Sequence, residues 1–414
     1  MQKILSSDIL IADIMIPLPQ DLDGVSPHLR PQYKNVATVL DNILQKKNVR
    51  RGQKVALSEE EFRTLSEAVS GLPTNGTEPG GSAANTLTTL KKLLGDAVAI
   101  DFMGVTGQDM HDHIINRGLK DAGVNLVAMT HPDGKAPKSA LSFVFTEADG
   151  KRTIATYPGN NREFFPPRRV TQELKLPEHD IVFVQGSLWE KTDKGSGRKN
   201  SPDEFGLPDK MVAERWNQNK EIWLALPTHA KFSDSMTTDN YRFLIPSADV
   251  VLGNQEELMR IYETTDFNYA ITRLQHDIAE RDKYKNREGK TSKKTAVAFI
   301  TRGKEGATVV TPHSRDDVPV ARIDGTRIYE LGAGDTAYAG FLAGHLADLT
   351  PKQSAQLAME LAAGKLKYNS ARIPDPGREM HRRSEESFAT QSLWNEVKRG
   401  LSAERNRRTA SGTL

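Results

Sequence analysis

A short glycine-rich segment near residue 333 carries the residue types best suited to chemistry. The chain reads Leu331-Gly332-Ala333-Gly334-Asp335-Thr336-Ala337 there, and an apolar, helix-forming run from Tyr338 to Leu346 follows it. Two glycines around one alanine let the backbone turn tightly with its N–H groups pointing outward. A helix that begins there adds the positive end of its dipole. The sequence therefore predicts an anion hole made by Gly332, Ala333 and Gly334.

Asp335 is an acid placed inside this predicted anion hole. Its carboxylate would repel a resting phosphate, but it suits a base that takes a proton from an attacking hydroxyl. An anion hole with such a base is the equipment for phosphoryl transfer to an alcohol. The same glycines, with Ala337, match the dinucleotide pattern G-x-G-x-x-A. That match lies late in the chain and its acid follows the second glycine directly, which argues against a dehydrogenase.

A second glycine cluster, Pro79-Gly80-Gly81-Ser82-Ala83-Ala84-Asn85-Thr86, opens another predicted helix. Paired glycines permit a close approach to a ligand, and Asn85, about one turn into the helix, can donate to and accept from a polyol. We also expect Asp13 to end an early strand, where ligands of open parallel sheets gather. Asp13, Gly80, Gly81 and Asn85 together predict a pocket for sugar hydroxyls, although an ordinary glycine-rich helix entry would show the same pattern.

Two polar turns follow predicted strands further along the chain. Asn254 and Glu257 share one face of a helix turn and could order water around a phosphate-bound Mg²⁺, or could simply cap that helix. Thr301, Gly303 and Gly306 form a polar turn that could lie against an adenine or a phosphate. The same turn could equally be a hairpin that leads into Thr308-Val309-Val310.

Composition excludes several function classes. The chain has 414 residues with 37% hydrophobic and 27% charged residues, which allows a real core and a well-solvated surface. Its net charge of +2 gives no argument for a nucleic-acid or membrane partner. Cysteine is absent, which excludes disulfides, thiolate metal sites and a cysteine nucleophile. We find no signal-peptide pattern and no apolar run long enough to span a bilayer, and we expect a cytoplasmic protein.

The elements that must position these residues alternate between short apolar runs and longer amphipathic stretches. Continuous apolar runs suit a parallel sheet covered on both faces, and the alternation predicts a doubly wound α/β domain. A helix is predicted from Ser82 to Leu94, with Gly95 as its C-cap. The main predicted strands are Ala97 to Met103, Ile181 to Val184, Ile222 to Leu226, Val250 to Leu252 and Val297 to Ile300.

Other segments depart from this alternation. Residues Leu126 to Pro158 indicate hairpin strands that could form a small lid, whose strands we place approximately within 9–30 and 124–160. Residues Ile4 to Ile16 are predicted as one strand broken by polar residues. Arg281 to Lys294 is predicted as a charged loop. We assign residues 1–375 to one domain and 376–414 to a polar, basic tail with one weak helix around Trp394.

Taken in order, these pieces resemble the PfkB, or ribokinase-like, family of carbohydrate and nucleoside kinases, from about Ile4 to about Ile373. The resemblance rests on six ordered motifs, which are much more specific together than any one of them. They are residues 80–85, 104–109, 159–161, 254–257, 301–303 and 332–335. The family's fold would be a Rossmann-like α/β/α sandwich with a small β-sheet lid.

The resemblance implies a role for each predicted site residue. Asp335 would be the general base, and Gly332, Ala333 and Gly334 would form the anion hole. Sugar hydroxyls would be held by Asp13, Gly80, Gly81 and Asn85. Asn254 and Glu257 would organise Mg²⁺, Thr301, Gly303 and Gly306 would lie along ATP, and Arg152 would neutralise phosphate charge.

The nearest branch looks like adenosine kinase, because a long segment separates Asp13 from Gly80. This resemblance implies an ATP- and Mg²⁺-dependent enzyme that phosphorylates the ribose 5′-hydroxyl of a nucleoside, as a monomer or a homodimer. A free-sugar kinase of the same fold and a catalytically inactive nucleotide-binding or interaction protein remain alternatives. The family commonly has Asp-Thr before the anion hole, often to help bind a monovalent cation. Tyr329-Glu330-Leu331 stands there in this chain.

Overall fold

A computed structural model of the chain describes most of its residues. They are residues 1–7, 11–19, 21–104, 110–128, 138–147, 151–159, 178–185, 220–226, 241–242, 244–287, 294–323 and 328–410. Two of the six motifs, 104–109 and 159–161, lie outside these ranges apart from Gly104 and Gly159.

Fourteen strands and ten helices are assigned within the described residues. The strands are β1 (Gln2–Ser7), β2 (Ile11–Pro17), β3 (Lys54–Ala56), β4 (Thr77–Gly80), β5 (Val98–Gly104), β6 (Asn125–Ala128), β7 (Ala140–Thr146), β8 (Arg152–Tyr157), β9 (Ile181–Gln185), β10 (Glu221–Ala225), β11 (Val250–Asn254), β12 (Val297–Thr301), β13 (Ala307–Val310) and β14 (Arg315–Val318). The helices are α1 (Arg30–Lys46), α2 (Glu59–Val69), α3 (Ser82–Leu94), α4 (Met110–Asp121), α5 (Gln255–Ile261), α6 (Phe267–Arg287), α7 (Ala333–Leu346), α8 (Pro351–Lys365), α9 (Pro376–Glu386) and α10 (Phe388–Ala410).

The larger sheet has nine strands in the order β14-β13-β12-β11-β10-β9-β1-β5-β6. Seven neighbouring strands, from β12 to β6, run parallel, and the β13–β14 hairpin extends one edge in antiparallel fashion. The predicted apolar strands all lie in this sheet, because helices cover both of its faces and bury consecutive side chains. The predicted doubly wound α/β core is confirmed.

A smaller, five-stranded sheet, the lid sheet, has the order β3-β8-β7-β2-β4. Its β7–β8 pair is antiparallel, as the predicted hairpin requires. The single strand predicted from Ile4 to Ile16 is wrong, because β1 belongs to the large sheet and β2 to the lid sheet. Asp13 therefore lies inside β2 rather than at a strand end. β6 also pairs in the large sheet rather than in the lid.

Among the described residues, three apolar cores hold these layers together. Helices α3, α4, α7 and α8 pack on one face of the large sheet, and α5 and α6 pack on the other. Helices α1 and α2 pack on the lid sheet, where the ring of Phe62 stacks on that of Tyr157 with centroids 4.5 Å apart. The segment between Asp13 and Gly80 thus supplies both lid helices and the lid strand β3.

Two predicted irregular segments are helical instead. The charged loop predicted from Arg281 is wrong up to Arg287, because α6 continues through this stretch and buries Arg281 in an ion pair with Asp249. The tail predicted as polar with one weak helix forms α9 and α10. Their apolar residues Met380, Trp394 and Val397 join the core of the large sheet. Both helices are rich in charged residues, which hid their buried apolar residues from an interpretation based on composition.

Candidate active site

The predicted anion hole is a tight turn at the start of α7, which we call the glycine turn (Gly332, Ala333 and Gly334). Gly332 is the N-cap of α7 and has a left-handed φ of 74°. A side chain on Gly332 would collide with the carbonyl oxygen of Ala371, whereas a Cβ on Gly334 would meet no atom within 4 Å. Backbone geometry therefore requires glycine at position 332. At position 334 the space in front of the helix N-terminus is open.

Asp335 lies in the first turn of α7 and faces the second glycine cluster. Its Oδ1 accepts a hydrogen bond from the Ser82 hydroxyl, and its Oδ2 accepts one from Asn85 Nδ2 at 3.1 Å. Burial raises the pKa of Asp335, while the charge of Lys54 and the bonds from Ser82 and Asn85 oppose the rise. The two glycine clusters, about 250 residues apart in sequence, therefore share one cleft.

Asn85 connects this acid to a buried arginine. Its Nδ2 donates to Asp335, and its Oδ1 accepts from Arg372 Nε at 2.8 Å. Burial lowers the pKa of Arg372 to about 10, although Asp13 and Asp335 favour its charged form. Both ends of the Asn85 amide are thus engaged within the protein, and this arrangement orients the acid. The predicted contact of Asn85 with a sugar remains a prediction.

Asp13 projects from the lid sheet and lies directly over Gly80. A side chain on Gly80 would collide with the Asp13 carboxylate, so the missing Cβ makes room for an acid of this protein. Gly81 is the N-cap of α3 with a φ of 93°, a conformation that favours glycine. Burial raises the pKa of Asp13 to about 7, against the opposing effects of Lys54, Ser142 and Arg372. The charges of Lys54 and Arg372 act to lower the pKa of both Asp13 and Asp335. Because the same two cations lie near both acids, the acids face one cleft.

Arg152 is a buried lid arginine with unused donors. It begins β8, is only 9% exposed, and donates from one terminal nitrogen to Asn369 Oδ1 at 2.9 Å. Its Nε and its other terminal nitrogen are buried and have no partner among the described residues. Burial lowers the pKa of Arg152, and Glu78 and Glu330 partly offset this effect. Buried guanidinium nitrogens without partners are costly, and a bound anion would satisfy them.

The segment 366–372, which follows α8, joins the lid to the core. Asn369 accepts from Arg152, and the Ser370 hydroxyl and the Ala371 N–H donate to Glu78 Oε2 on β4 at 2.8 and 3.2 Å. Arg372 then reaches Asn85 on α3. Sequence patterns gave no signal for this segment, because its contacts join residues that are far apart in sequence and show no recognisable spacing.

Asn254 and Glu257 form a capping box at the start of α5. Asn254 Oδ1 accepts from the Glu257 N–H at 2.9 Å, and Glu257 Oε2 accepts from the Asn254 N–H at 2.9 Å. The helix cap that we offered as the alternative is therefore present. Burial, with a smaller contribution from the nearby Asp335, raises the pKa of Glu257 to about 8.

This buried carboxylate fits a magnesium ion bound largely by phosphates and water. Only Oε2 of Glu257 takes part in the capping box, so its second oxygen can face an ion or an ordered water. Mg²⁺ usually binds one or two carboxylates in addition to substrate phosphates. In the described part of the chain, no group of three or more acidic or histidine side chains is arranged around a metal position.

The polar turn from Thr301 to Gly306 is a hairpin between β12 and β13, the second of the two structures that the sequence allowed. Gly306 has a φ of 89°, and a side chain there would collide with the carbonyl oxygen of Val318, so its glycine is explained by packing. Gly303 has a φ of 56° and open space around it. Thr301 pairs in register with Asn254, at the carboxyl ends of two parallel strands. This position places Thr301 at the same sheet edge as Glu257.

Comparisons with known proteins agree with this architecture. The chain resembles a probable sugar kinase from Rhizobium etli with a TM-score of 0.67 and 20% identity, over 92% of this chain and 98% of the other. It resembles adenosine kinase from Sinorhizobium meliloti with a TM-score of 0.67 and 20% identity, over 92% and 99%. It resembles adenosine kinase from Schistosoma mansoni in complex with 2-fluoroadenosine with a TM-score of 0.68 and 14% identity, over 91% of this chain and 98% of the other. Identities this low establish the fold alone.

Other comparisons complete this picture. A search of curated proteins finds no match. Within the described ranges, none of the helices combines the length and the apolar character needed to cross a bilayer.

The family model for pfkB carbohydrate kinases matches residues 54–378, which include the lid strand β3, both glycine clusters and the start of α9. Because that match covers most of the sequence, this chain belongs to the pfkB family of carbohydrate kinases, enzymes that use ATP to phosphorylate small molecules.

Proposed function

We propose that this kinase transfers the γ-phosphoryl group of ATP to a primary hydroxyl of a nucleoside, at the ribose 5′ position. The observation that carries the proposal is the Asp335 carboxylate, which is seated beside the glycine turn and held by Ser82 and Asn85 from the second glycine cluster. A base in this position can take the proton of an alcohol that lies between the lid and the core.

The proposed reaction needs four further contributions from the chain. Asp13, on the lid strand β2, would accept hydrogen bonds from ribose hydroxyls, which favours its ionised form in spite of burial. The N–H groups of the glycine turn would donate to the transferring phosphoryl group. The two unpartnered nitrogens of Arg152 would also donate to it, and the positive charge of Arg152 would offset its negative charge. When bound, Mg²⁺ would neutralise phosphate charge, and Glu257 would hold it directly or through water.

The size of the lid favours a nucleoside over a small free sugar as the acceptor. Residues between Asp13 and Gly80 build α1, α2 and β3, and these elements add a fifth strand and a helical layer to the lid. A larger lid can enclose a larger acceptor and exclude water, which competes as a phosphoryl acceptor. The sugar kinase alternative stands on the Rhizobium etli neighbour, whose name describes a probable sugar kinase.

An acceptor screen separates these two substrates. ATP consumption is measured with adenosine, inosine, guanosine, ribose and fructose, each at equal concentration and with excess Mg²⁺. We expect at least one nucleoside to be phosphorylated with the highest kcat/KM. A preference for ribose or fructose over all three nucleosides would transfer the proposal to the sugar kinase alternative.

Gly334→Ala tests whether the glycine turn receives a phosphoryl group. We expect an unchanged or slightly raised unfolding temperature, because alanine favours helix over glycine by up to about 1 kcal/mol and the new Cβ meets no protein atom. Turnover should fall by about 100-fold, because the methyl group occupies the space in front of the N–H groups. Gly377→Ala, in the first turn of α9 and away from the cleft, is the matched control and should leave turnover unchanged.

Glu257→Gln tests the magnesium proposal. A glutamine oxygen can still accept the Asn254 N–H bond, so the helix cap should survive. We expect the Mg²⁺ concentration for half-maximal activity to rise by about tenfold, because a neutral amide is a poorer partner for the hydrated ion. Glu256→Gln, on the exposed side of the same helix turn, should leave the Mg²⁺ dependence unchanged. Equal Mg²⁺ curves for both variants would remove Glu257 from the metal site.

A further inference from the structure

A lysine is buried behind the glycine turn. Lys365, the last residue of α8, is 0% exposed. Its Nζ donates to the carbonyl oxygens of Tyr329 at 3.2 Å and Tyr368 at 3.0 Å. Burial of a lysine is rare in proteins and is stable only when the amine is paired. Two backbone carbonyl oxygens from different segments therefore converge on this amine.

The two segments that Lys365 joins both hold the glycine turn in place. Tyr329 lies three residues before Gly332, and its N–H donates to the Leu366 carbonyl at 2.9 Å. Tyr368 lies three residues before Ala371, whose carbonyl oxygen closely faces Gly332. The amine thus connects the chain that enters the glycine turn to the chain that packs against it. A shift of either segment would change where the N–H groups of the glycine turn point.

Charged groups from three other elements act on this amine. Burial and the charge of Arg152 on β8 together lower the pKa of Lys365 to about 7, whereas Glu78 on β4 and Asp335 on α7 favour the charged form. The amine can donate to both carbonyls in either protonation state, since a neutral amine retains two N–H groups. A phosphoryl group arriving at the glycine turn would favour the charged form.

We propose that the amine of Lys365 is a positioning group that takes the place of a bound monovalent cation, by holding the carbonyl oxygens of Tyr329 and Tyr368 on either side of the glycine turn. An ammonium group and a potassium ion are both satisfied by converging carbonyl oxygens, and a tethered cation cannot dissociate. The replacement of the family's Asp-Thr by Tyr329-Glu330 agrees with this arrangement. The inference rests on the proposed function, because it concerns the geometry of that phosphoryl site.

The test compares monovalent cations in the wild type and in variants. Turnover is measured in tetramethylammonium, potassium, ammonium and methylammonium chlorides at equal ionic strength. The wild type should have the same turnover in all four salts. Lys365→Ala should lose about 100-fold in tetramethylammonium, as expected for a misplaced anion hole, and should regain at least about tenfold with ammonium, methylammonium or potassium. Lys365→Met, whose apolar side chain fills the space of the lysine, should lose as much and regain nothing.

Lys352→Met is the matched control, because Lys352 lies on the same helix, α8, and its ammonium faces Asp316 at 3.3 Å on an exposed surface. It should behave as the wild type does. Strong activation of the wild type by potassium would overturn the proposal, and so would full turnover of Lys365→Met or a loss in Lys365→Ala that no cation restores. The wild-type comparison needs no substitution, so it decides even where a variant does not fold.

A second readout separates this proposal from the proposed function. Thermal unfolding is followed in the same four salts without any substrate. Lys365→Ala should be stabilised by ammonium or potassium relative to tetramethylammonium, whereas the wild type should show no difference between them. This pattern can appear even where no acceptor in the screen is phosphorylated. Its absence in a folded Lys365→Ala variant overturns the inference about Lys365 and leaves the assignment of the acceptor unaffected.

Discussion

Asp335→Asn is expected to lower kcat by about 100- to 10,000-fold, the range that a positioned general base contributes. An asparagine cannot take the proton of the acceptor hydroxyl, but it keeps the shape of the side chain and an oxygen that can accept from Ser82. Acceptor binding, measured by calorimetry without ATP, should therefore change only a few-fold. Turnover within a few-fold of the wild type would remove Asp335 as the base.

Asp348→Asn is the matched control for this substitution. Asp348 follows the same helix, α7, and its side chain bonds to Lys294 at 2.8 Å on a half-exposed surface away from the cleft. Its left-handed φ of 60° suits asparagine as well as aspartate. We expect turnover close to that of the wild type. Loss of turnover in both variants would point to a general effect of removing negative charge rather than to a base.

The pH dependence of the wild type adds an independent reading of the same residue. Burial raises the pKa of Asp335, so its base form is lost at a higher pH than that of an ordinary aspartate. Turnover should accordingly fall as pH drops through this raised pKa and level off above it. In Asp335→Asn, the residual turnover should not show this decrease at low pH.

Arg152→Met is expected to lower kcat by about 100-fold or more while the protein unfolds at the same or a higher temperature. The arginine leaves two buried nitrogens without partners among the described residues, and methionine fills similar space without that cost. We expect the loss in kcat because the proposed role of Arg152 is to neutralise the charge of the transferring phosphoryl group. Lower activity combined with unchanged or raised stability identifies a residue kept for chemistry rather than for folding.

Two companion variants sharpen this prediction. Arg152→Lys should recover only part of the loss, because a lysine offers a point charge instead of a planar fork of donors. Arg51→Met removes another lid arginine, which bonds to Asp41 at 2.8 Å and lies near the lid surface, and it should leave kcat unchanged. A strongly destabilised Arg152→Met with normal kcat per folded molecule would assign Arg152 a structural role.

Local patterns predicted much of the fold. The apolar strands of the large sheet were visible because a strand covered on both faces must be apolar throughout, and the helix from Ser82 to Leu94 because its leucines recur at helical spacing. Elements with many polar or charged residues were harder to predict from the sequence. Helices α9 and α10 contain many charged residues. The continuation of α6 to Arg287 depends partly on the buried Arg281–Asp249 pair, which no local pattern contains.

The candidate site divides in the same way. The backbone requirements of the glycine turn are local, so the sequence by itself determined Asp335 as an acid at a helix N-terminus and placed the chain among phosphoryl-transfer enzymes. Only the tertiary structure decided which groups surround that acid. Ser82 and Asn85 meet Asp335, Arg372 orients Asn85, and Lys365 lies behind the glycine turn.

The physical reason for this division lies in the range of each interaction. Turns, caps and helix dipoles act between neighbours in sequence, so residue types at short spacing reveal them. Hydrogen bonds and charges that cross the cleft join residues separated by up to about 290 positions, and nothing in their local sequence specifies the partner. Folding alone brings the lid, the core and the segment 366–372 together.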